Sequence, residues 1–131
     1  DRSADLYEHQ VEVLFSGTAD MMRRLALRAL LDHLPTAKRF GEGKELRILE
    51  VGTGTGRTGA MIQQLLPRAR LTLSDLSEVY LGKAREKFGG AECVEFVQCA
   101  GEKLPFESRL YDAVVSVFLF LVLVVVFSAV T

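Results

Sequence analysis

The fold is decided by one stretch of this 131-residue chain, Leu46-Arg47-Ile48-Leu49-Glu50-Val51-Gly52-Thr53-Gly54-Thr55-Gly56-Arg57-Thr58-Gly59. Its first six residues are mostly apolar and include β-branched side chains, which predicts a short buried strand. Glycine then stands at every second position, so the backbone can turn sharply and a ligand can approach it closely. Residues 60–66 favour a helix that ends at Pro67. Strand, glycine turn and helix together open a nucleotide-binding crossover, with the helix N–H groups directed at the ligand.

Two registers of the glycines predict different ligands. The G-x-G-x-x-G run from Gly54 to Gly59, with Asp75 further on, satisfies the pattern of dinucleotide-binding domains. That pattern should begin where the strand ends, yet Gly52 already occupies this position. The other register is acid-x-Gly-x-Gly-x-Gly and begins at Glu50, whose carboxylate would attract an ammonium group and repel a pyrophosphate. A tight turn that binds no ligand is the third interpretation.

The second register resembles the glycine motif of the class I S-adenosylmethionine-dependent methyltransferases, and two further segments resemble the same family. Asp75-Leu76-Ser77 follows an apolar run, as the ribose-binding acid of the family follows its second strand. An ionised carboxylate suits ribose hydroxyls because it only accepts hydrogen bonds. An alternative role for Asp75 is to cap the next helix, although Ser77 is better placed to do so. Residues 111–118, Tyr-Asp-Ala-Val-Val-Ser-Val-Phe, match the fourth strand of the family.

Residues 100–106 resemble the loop of the family in which an acidic segment is followed by Leu-Pro-Phe. In the family this loop covers the adenine, and an acid in it binds the exocyclic amine. This chain departs from the pattern, because Ala100 stands where the family often has Asp and Glu102 comes two residues later. The cofactor-binding residues that the resemblance implies are Glu50, Gly52, Thr53, Gly54, Gly56, Asp75, Leu76, Gly101 and Glu102.

The resemblance implies an α/β doubly wound parallel sheet of the Rossmann-like methyltransferase type. We expect strand order 3-2-1-4, with the ligand at the carboxyl ends of the strands. Residues 1–45 should form a helical lead-in, residues 46–118 the cofactor-binding α/β domain, and residues 119–131 an atypical apolar tail. In this lead-in, a short amphipathic helix should end at Gly17. A second helix should start near Thr18 or Asp20 and end at Pro35. Its predicted core-facing stripe is Met21, Met22, Leu25, Ala26, Leu30, Leu31 and Leu34.

The last part of the chain carries no charge after Asp112, and residues 113–130 form a run that is apolar except for Ser116 and Ser128. About 18 such residues are the lower limit for a membrane span, but this run lacks flanking basic residues and an aromatic belt. Its first half is also needed for the fourth strand. We therefore expect a sheet truncated after the fourth strand, with that strand as an exposed apolar edge, and a membrane anchor as the alternative. Because the chain starts at Asp1, we expect it to be processed or incomplete at this end as well.

The overall composition narrows the classes of partner. A net charge of −1, with 25% charged and 49% hydrophobic residues, is ordinary for a globular domain and gives no basic footprint for nucleic acid. His9 and His33 have no partners at metal-ligand spacing, so we expect no metal site. Cys93 and Cys99 fall on one predicted strand, roughly 20 Å apart and beyond disulfide reach. We interpret them as buried thiols, which favours a reducing intracellular compartment. The oligomeric state stays open.

The reaction that the resemblance implies is attack of a small-molecule nucleophile on the sulfonium methyl of S-adenosylmethionine. The protein then has mainly to orient and desolvate the reactants. No residue stands out as a general base, so the catalytic residues and the acceptor stay unassigned. One alternative is a non-catalytic truncated isoform or fragment. The other is the half-domain of an NAD-binding oxidoreductase, which Glu50 and the Leu-Pro-Phe segment disfavour.

Overall fold

The computed structural model describes residues 18–34, 45–100, 110–117 and 122–126, together with Ser3 and Leu6. The helices in these ranges are α1 (Thr18–His33), α2 (Arg57–Leu65) and α3 (Glu78–Phe88). The strands are β1 (Arg47–Val51), β2 (Arg70–Asp75), β3 (Val94–Gln98), β4 (Ala113–Val117) and β5 (Val122–Val126). Strand and helix alternate from β1 to β3, as the sequence predicts.

The strands form one sheet in the order β3-β2-β1-β4-β5. The first four run parallel, which confirms the predicted order 3-2-1-4 and the α/β Rossmann-like fold. At the centre of the sheet, Ile48 of β1 lies between Leu71 of β2 and Ala113 of β4. Asp112, the residue before β4, ties the start of β4 to the start of β1, because its Oδ2 accepts a hydrogen bond from the backbone N–H of Arg47 at 2.9 Å.

The three helices cover the same face of the sheet. The crossovers β1-α2-β2 and β2-α3-β3 step in the same direction, so their right-handed connections place both helices on one face. Helix α1 packs on that face too, since it lies against β4 and β5 and contributes Leu30 to the shared core. That core consists of Ala26, Leu27, Leu30, Leu34, Leu46, Ile48, Ile62, Leu66, Ala69, Leu71, Leu73, Phe88, Ala113 and Val115. Glu50 follows Ile48 by two residues and therefore points to the same face.

The predicted inward stripe of α1 is partly wrong. Met21 and Leu25 are 63% and 58% exposed, whereas Leu27, which the prediction omits, is buried. Residues spaced by three and four positions share a helix face, and the core face is set by Leu27, Leu30 and Leu34. Met21 and Leu25 lie on the opposite side. A helix with apolar residues around most of its circumference does not reveal from sequence which side the sheet will cover.

The expectation that β4 forms an open edge of the sheet is wrong. Strand β5 pairs with β4 in antiparallel register, from Ala113 opposite Val126 to Val117 opposite Val122. The valine-rich sequence explains the pairing, because β-branched side chains favour strands and a second strand satisfies the backbone groups along β4. Within the described ranges, no helix is both long and apolar enough to span a membrane. The domain limits at residues 45 and 118 stay predictions.

Local signals around α3 hold, whereas the expected burial of the cysteines does not. Ser77 caps α3 by accepting a hydrogen bond from the N–H of Tyr80 at 3.3 Å, and Gly89 ends the helix in the left-handed conformation. Cys93 and Cys99 are free thiols, but both are half-buried rather than buried. They flank β3 instead of lying within it, and the ends of a strand are more accessible than its middle.

Candidate functional site

The glycine turn after β1 is built on three residues in the left-handed region. Gly52, Gly54 and Gly56 have φ values of 72°, 57° and 84°. Residues with a Cβ rarely adopt this conformation, so the alternation of glycine is a requirement of the backbone path. The turn is also tied to β2, because the N–H of Thr53 donates to the carbonyl of Ser74 at 2.9 Å.

Buried serines hold the carboxyl end of β1 from both sides. Ser74 Oγ of β2 donates to the carbonyl of Glu50 at 2.9 Å, and Ser116 Oγ of β4 donates to the carbonyl of Val51 at 2.9 Å. Both serines are almost fully buried. The point at which the chain leaves β1 is therefore fixed by both neighbouring strands before the first glycine.

Three glycines of this region are required for different reasons. Among the described residues, none comes within 4 Å of a Cβ built on Gly54, so this side of the turn faces open space. A Cβ on Gly56 would lie 2.9 Å from Cβ of Ala84 in α3. A Cβ on Gly59 would lie 2.9 Å from Cδ2 of Leu73 in β2. Gly56 and Gly59 thus allow close packing of the elements, and Gly54 is the glycine that leaves room for a ligand.

Asp75 lies at the end of β2 with its carboxylate beside the open side of the turn. Its Oδ2 accepts a hydrogen bond from the N–H of Gly54 at 2.8 Å, and its Oδ1 accepts one from the N–H of Ser77 at 2.9 Å. Each carboxylate oxygen has a further lone pair for a ligand hydroxyl. Leu76 follows at the surface and is 69% exposed, so an apolar side chain lies next to this acid.

Glu50 is a buried acid at the foot of the turn, only 2% exposed. Burial raises the pKa of its carboxyl to about 8, against the lowering effects of a hydrogen bond from Thr53 and the positive charge of Arg23. Thr53 Oγ1 donates to Glu50 Oε1 at 2.6 Å. The same carboxyl reaches the first turn of α2, where Oε1 would lie 3.3 Å from a Cβ on Gly59.

Helix α1 contributes charged residues that the sequence did not single out. Asp20 Oδ1 accepts from Arg23 Nη1 at 2.9 Å, and Asp20 Oδ2 accepts from Arg57 Nη2 at 2.8 Å. We name these three residues the Asp20 cluster. Burial alone would raise the pKa of Asp20, but the hydrogen bond from Arg23 and the charge of Arg57 outweigh it and lower the pKa. The available signal was Arg57 itself, a cation directly after the last glycine of the turn.

The structure brings together most of the residues predicted for the site. Glu50, Gly52, Thr53, Gly54, Gly56, Asp75 and Leu76 lie where β1 and β2 end, at the edge of the sheet expected for the ligand. Gly101, Glu102 and the Leu-Pro-Phe segment lie outside the described residues. The assignment of individual contacts to a cofactor stays a prediction for all nine.

Comparison with known proteins identifies the family. The sequence profile of the methyltransferase domain family matches residues 48–128, which is more than half of the chain. The ubiquinone/menaquinone biosynthesis C-methyltransferase UbiE of Desulfotalea psychrophila is 33% identical over 114 residues, 87% of this chain and 42% of that protein. This chain thus spans less than half the length of the curated relative.

Solved structures show the same fold. The CMeT domain of the citrinin polyketide synthase matches with a TM-score of 0.59 and 26% identity, over 84% of this chain and 30% of that one. A protein of Methanococcus maripaludis matches with a TM-score of 0.62 and 17% identity, over 88% of this chain and 48% of that one. The sequence profile, the curated relative and the fold of the solved structures point to the same family. The chain therefore belongs to the methyltransferase domain family.

Proposed function

We propose that this chain is the cofactor-binding part of an S-adenosylmethionine-dependent methyltransferase that acts on a small molecule. The observation that carries the proposal is the open side of Gly54 with the Asp75 carboxylate beside it. The turn leaves space where a Cβ would otherwise stand, and the acid supplies acceptors for hydroxyl groups. The residues present therefore fit a nucleoside ligand without a phosphate.

Each of these residues would bind a different part of the ligand. Asp75 would accept hydrogen bonds from the ribose hydroxyls, and Gly54 would let the ligand approach the backbone. Glu50 and Thr53 would receive the amino-acid end, where an ammonium group favours an acid. Leu76 offers its exposed side chain to an apolar ring face. The bound cofactor supplies a methyl group on a positively charged sulfur, so the protein needs only to orient the acceptor and exclude water.

The packing of Gly59 against Leu73 does not separate S-adenosylmethionine from a dinucleotide, because the third glycine of the dinucleotide pattern also serves close helix–strand packing. The family match argues against a dinucleotide at this turn. The NAD-binding alternative is therefore disfavoured.

The relatives support a small-molecule acceptor and favour carbon as the methylated atom. UbiE is named for C-methylation in ubiquinone and menaquinone biosynthesis, and the citrinin synthase domain is named CMeT. We infer an electron-rich carbon nucleophile as the first class of acceptor to test. We assign no general base among the described residues, so the acceptor must bring its own reactivity or meet a base elsewhere in the protein.

The test compares two ligands on the 131-residue chain. S-adenosylhomocysteine should raise the melting temperature and NAD should not, since a ligand at 100 times its dissociation constant stabilises the folded state by about 2.7 kcal/mol. Asp75→Asn should weaken S-adenosylhomocysteine binding by about 10- to 100-fold, because it removes a charged acceptor.

Glu78→Gln is the matched control, because Glu78 is an exposed acid nearby that pairs with Arg85 at 2.7 Å. It should leave the affinity for S-adenosylhomocysteine unchanged. Stabilisation by NAD alone would contradict the proposal. Equal affinity of the wild type and Asp75→Asn would show that the Asp75 carboxylate does not bind the ligand.

A further inference from the structure

A groove lies between α1 and α2 on the helix-covered face of the sheet. Its volume is about 360 Å³, which is at the lower end for ligand pockets in proteins. The two helices begin side by side, because Asp20 of α1 accepts a hydrogen bond from Arg57 of α2 at 2.8 Å. The groove is lined by the later turns of both helices, beyond the end at which α2 meets the glycine turn. It is therefore a separate feature from the candidate cofactor site.

The walls of the groove are apolar. Each helix contributes two side chains that are four positions apart and so share a helix face, Leu27 and Leu31 from α1 and Met61 and Leu65 from α2. Leu27 is buried, and Leu31 and Met61 pack against the core, so the fold holds this surface in place. Leu65 is 50% exposed. An apolar ligand that covers these side chains would remove apolar surface from water, which favours binding.

The rim of the groove on α1 is positively charged. Arg24, Arg28 and Asp32 line it, so two guanidinium groups stand against one carboxylate. The guanidinium of Arg28 lies 3.8 Å from the carboxylate of Asp32. Arg24 is exposed and makes no hydrogen bond or ion pair within the part of the chain that the structure describes. Asp32 lies roughly two helical turns further along, so an anion would be attracted to the Arg24 end and repelled at the other.

We propose that this groove binds a small amphipathic anion, a single hydrocarbon chain that ends in a carboxylate. The chain lies between the apolar walls, and the carboxylate meets Arg24. A guanidinium suits this head group because it can donate two parallel hydrogen bonds to a carboxylate. A helix of a partner protein is about 10–12 Å wide and would rest on the rim instead of filling a groove of this volume. The proposal does not depend on which ligand occupies the glycine turn.

The experiment titrates the 131-residue chain with dodecanoate below its micelle concentration and follows binding by calorimetry. Dodecyltrimethylammonium has the same chain with a positive head group, and butanoate has the same head group on a much shorter chain. Dodecanoate should bind one molecule per chain and at least about 5-fold more tightly than the cation, because even an exposed ion pair can contribute about this factor. Butanoate should show no measurable binding, because each methylene group that leaves water raises the affinity about fourfold. Circular dichroism checks that the chain stays folded.

Two variants with matched controls test the two parts of the groove. Arg24→Gln should weaken dodecanoate binding by about 3- to 5-fold without weakening the cation. Arg68→Gln is its control, because it removes the same charge from an exposed residue outside the groove. Leu65→Gln should weaken both long-chain ligands by about 3- to 10-fold. Leu25→Gln is its control, because Leu25 is 58% exposed on α1 and does not line the groove. Both controls should bind as the wild type does.

Four outcomes would overturn the proposal. Equal affinity of the wild type for dodecanoate and the cation would show that the charge of the head group is not recognised, and this measurement needs no variant to fold. Equal losses in Leu65→Gln and Leu25→Gln would place the ligand outside the groove. Binding to phosphatidylglycerol vesicles without binding of monomeric dodecanoate would make a membrane surface the partner. Self-association that Leu65→Gln weakens, again without dodecanoate binding, would make a second copy of the chain the occupant. Binding of S-adenosylhomocysteine is measured separately, so its failure would affect the proposed function alone.

Discussion

At the scale of single residues, Glu50 is the group whose ionisation is changed most clearly by folding. It leaves water almost completely, and Thr53 Oγ1 donates a hydrogen bond of 2.6 Å to its carboxyl. Hydrogen bonds from Thr53 favour the charged form, but the loss of hydration outweighs them. The folded state therefore binds a proton that the unfolded chain releases.

This difference predicts a pH dependence of stability. The pKa of Glu50 rises from 4.5 to about 8. Its contribution to the free energy of unfolding is therefore fully present below the lower value and is lost as the pH rises towards the upper value. Within that window the free energy of unfolding should fall by at most about 1.4 kcal/mol per pH unit from this group. Glu50→Gln keeps a carbonyl acceptor for Thr53 and should remove this part of the slope. Urea unfolding at a series of pH values measures it.

Glu86→Gln is the control for this prediction. Glu86 is an exposed acid of α3, so replacing it should leave the pH profile of the wild type in place. If wild type and Glu50→Gln showed the same slope across the window, Glu50 would titrate alike in the folded and unfolded states. The burial described above would then have no effect on its ionisation.

At the scale of elements, α3 supports the glycine turn from below. Ala84 and Phe88 lie under Gly56, and Lys87 Nζ donates to Thr55 Oγ1 at 3.3 Å. The turn is thus held by α3 as well as by the hydrogen bond from the N–H of Thr53 to the carbonyl of Ser74 in β2. A turn that is fixed from several sides needs little rearrangement when a ligand binds, which reduces the entropic cost of binding.

Gly56→Ala should disturb this contact. The new methyl group would meet Cβ of Ala84 at 2.9 Å, and a φ of 84° is strained for alanine. Together these effects should destabilise the fold by roughly 2–4 kcal/mol. Gly54→Ala shares the strain but has open space around its Cβ, so we expect a loss of about 1 kcal/mol together with weakened S-adenosylhomocysteine binding. Urea unfolding and calorimetry separate the two effects.

Gly82→Ala is the matched control in α3. Its φ is not left-handed, and none of the described residues lies within 4 Å of its Cβ. It should stabilise the helix by up to about 1 kcal/mol. If Gly56→Ala were as stable as the wild type, α3 would not approach the turn as closely as described.

The sequence predicted the crossovers well because their signals are local. The glycines, the Ser77 cap and the Gly89 stop each act within a few residues, so they can be recognised without the rest of the fold. The Asp20 cluster joins residues 37 positions apart, and only the fold that brings the start of α1 beside the start of α2 creates it. The burial of Glu50 also depends on α2 lying over β1. The sequence predicts an acid at the end of β1, whereas its almost complete burial is visible only in the fold.

At the scale of the whole molecule, the three helices of the described ranges share one face of the sheet. Helices α1, α2 and α3 cover one face, while the described chain ends its sheet with the antiparallel strand β5. Because α1 lies against both β4 and β5, the last strand supports the helix that carries Asp20 and Arg23. The pairing of β4 with β5 and the geometry of the site are therefore linked through α1.

This link predicts that the end of the chain stabilises the fold. Deleting residues 118–131 removes β5. The backbone groups along the edge of β4 then lose their hydrogen-bond partners, and α1 loses its contacts with β5. We expect a lower free energy of unfolding and concentration-dependent aggregation, because an exposed apolar edge strand pairs with other chains. Deleting only residues 127–131 keeps β5 and is the control, which should behave as the full chain does. Urea unfolding and light scattering measure both effects. A shortened chain of residues 1–117 that stayed monomeric and equally stable would show that β5 contributes nothing to β4, and α1 would then have to be held by the core around Leu30 alone.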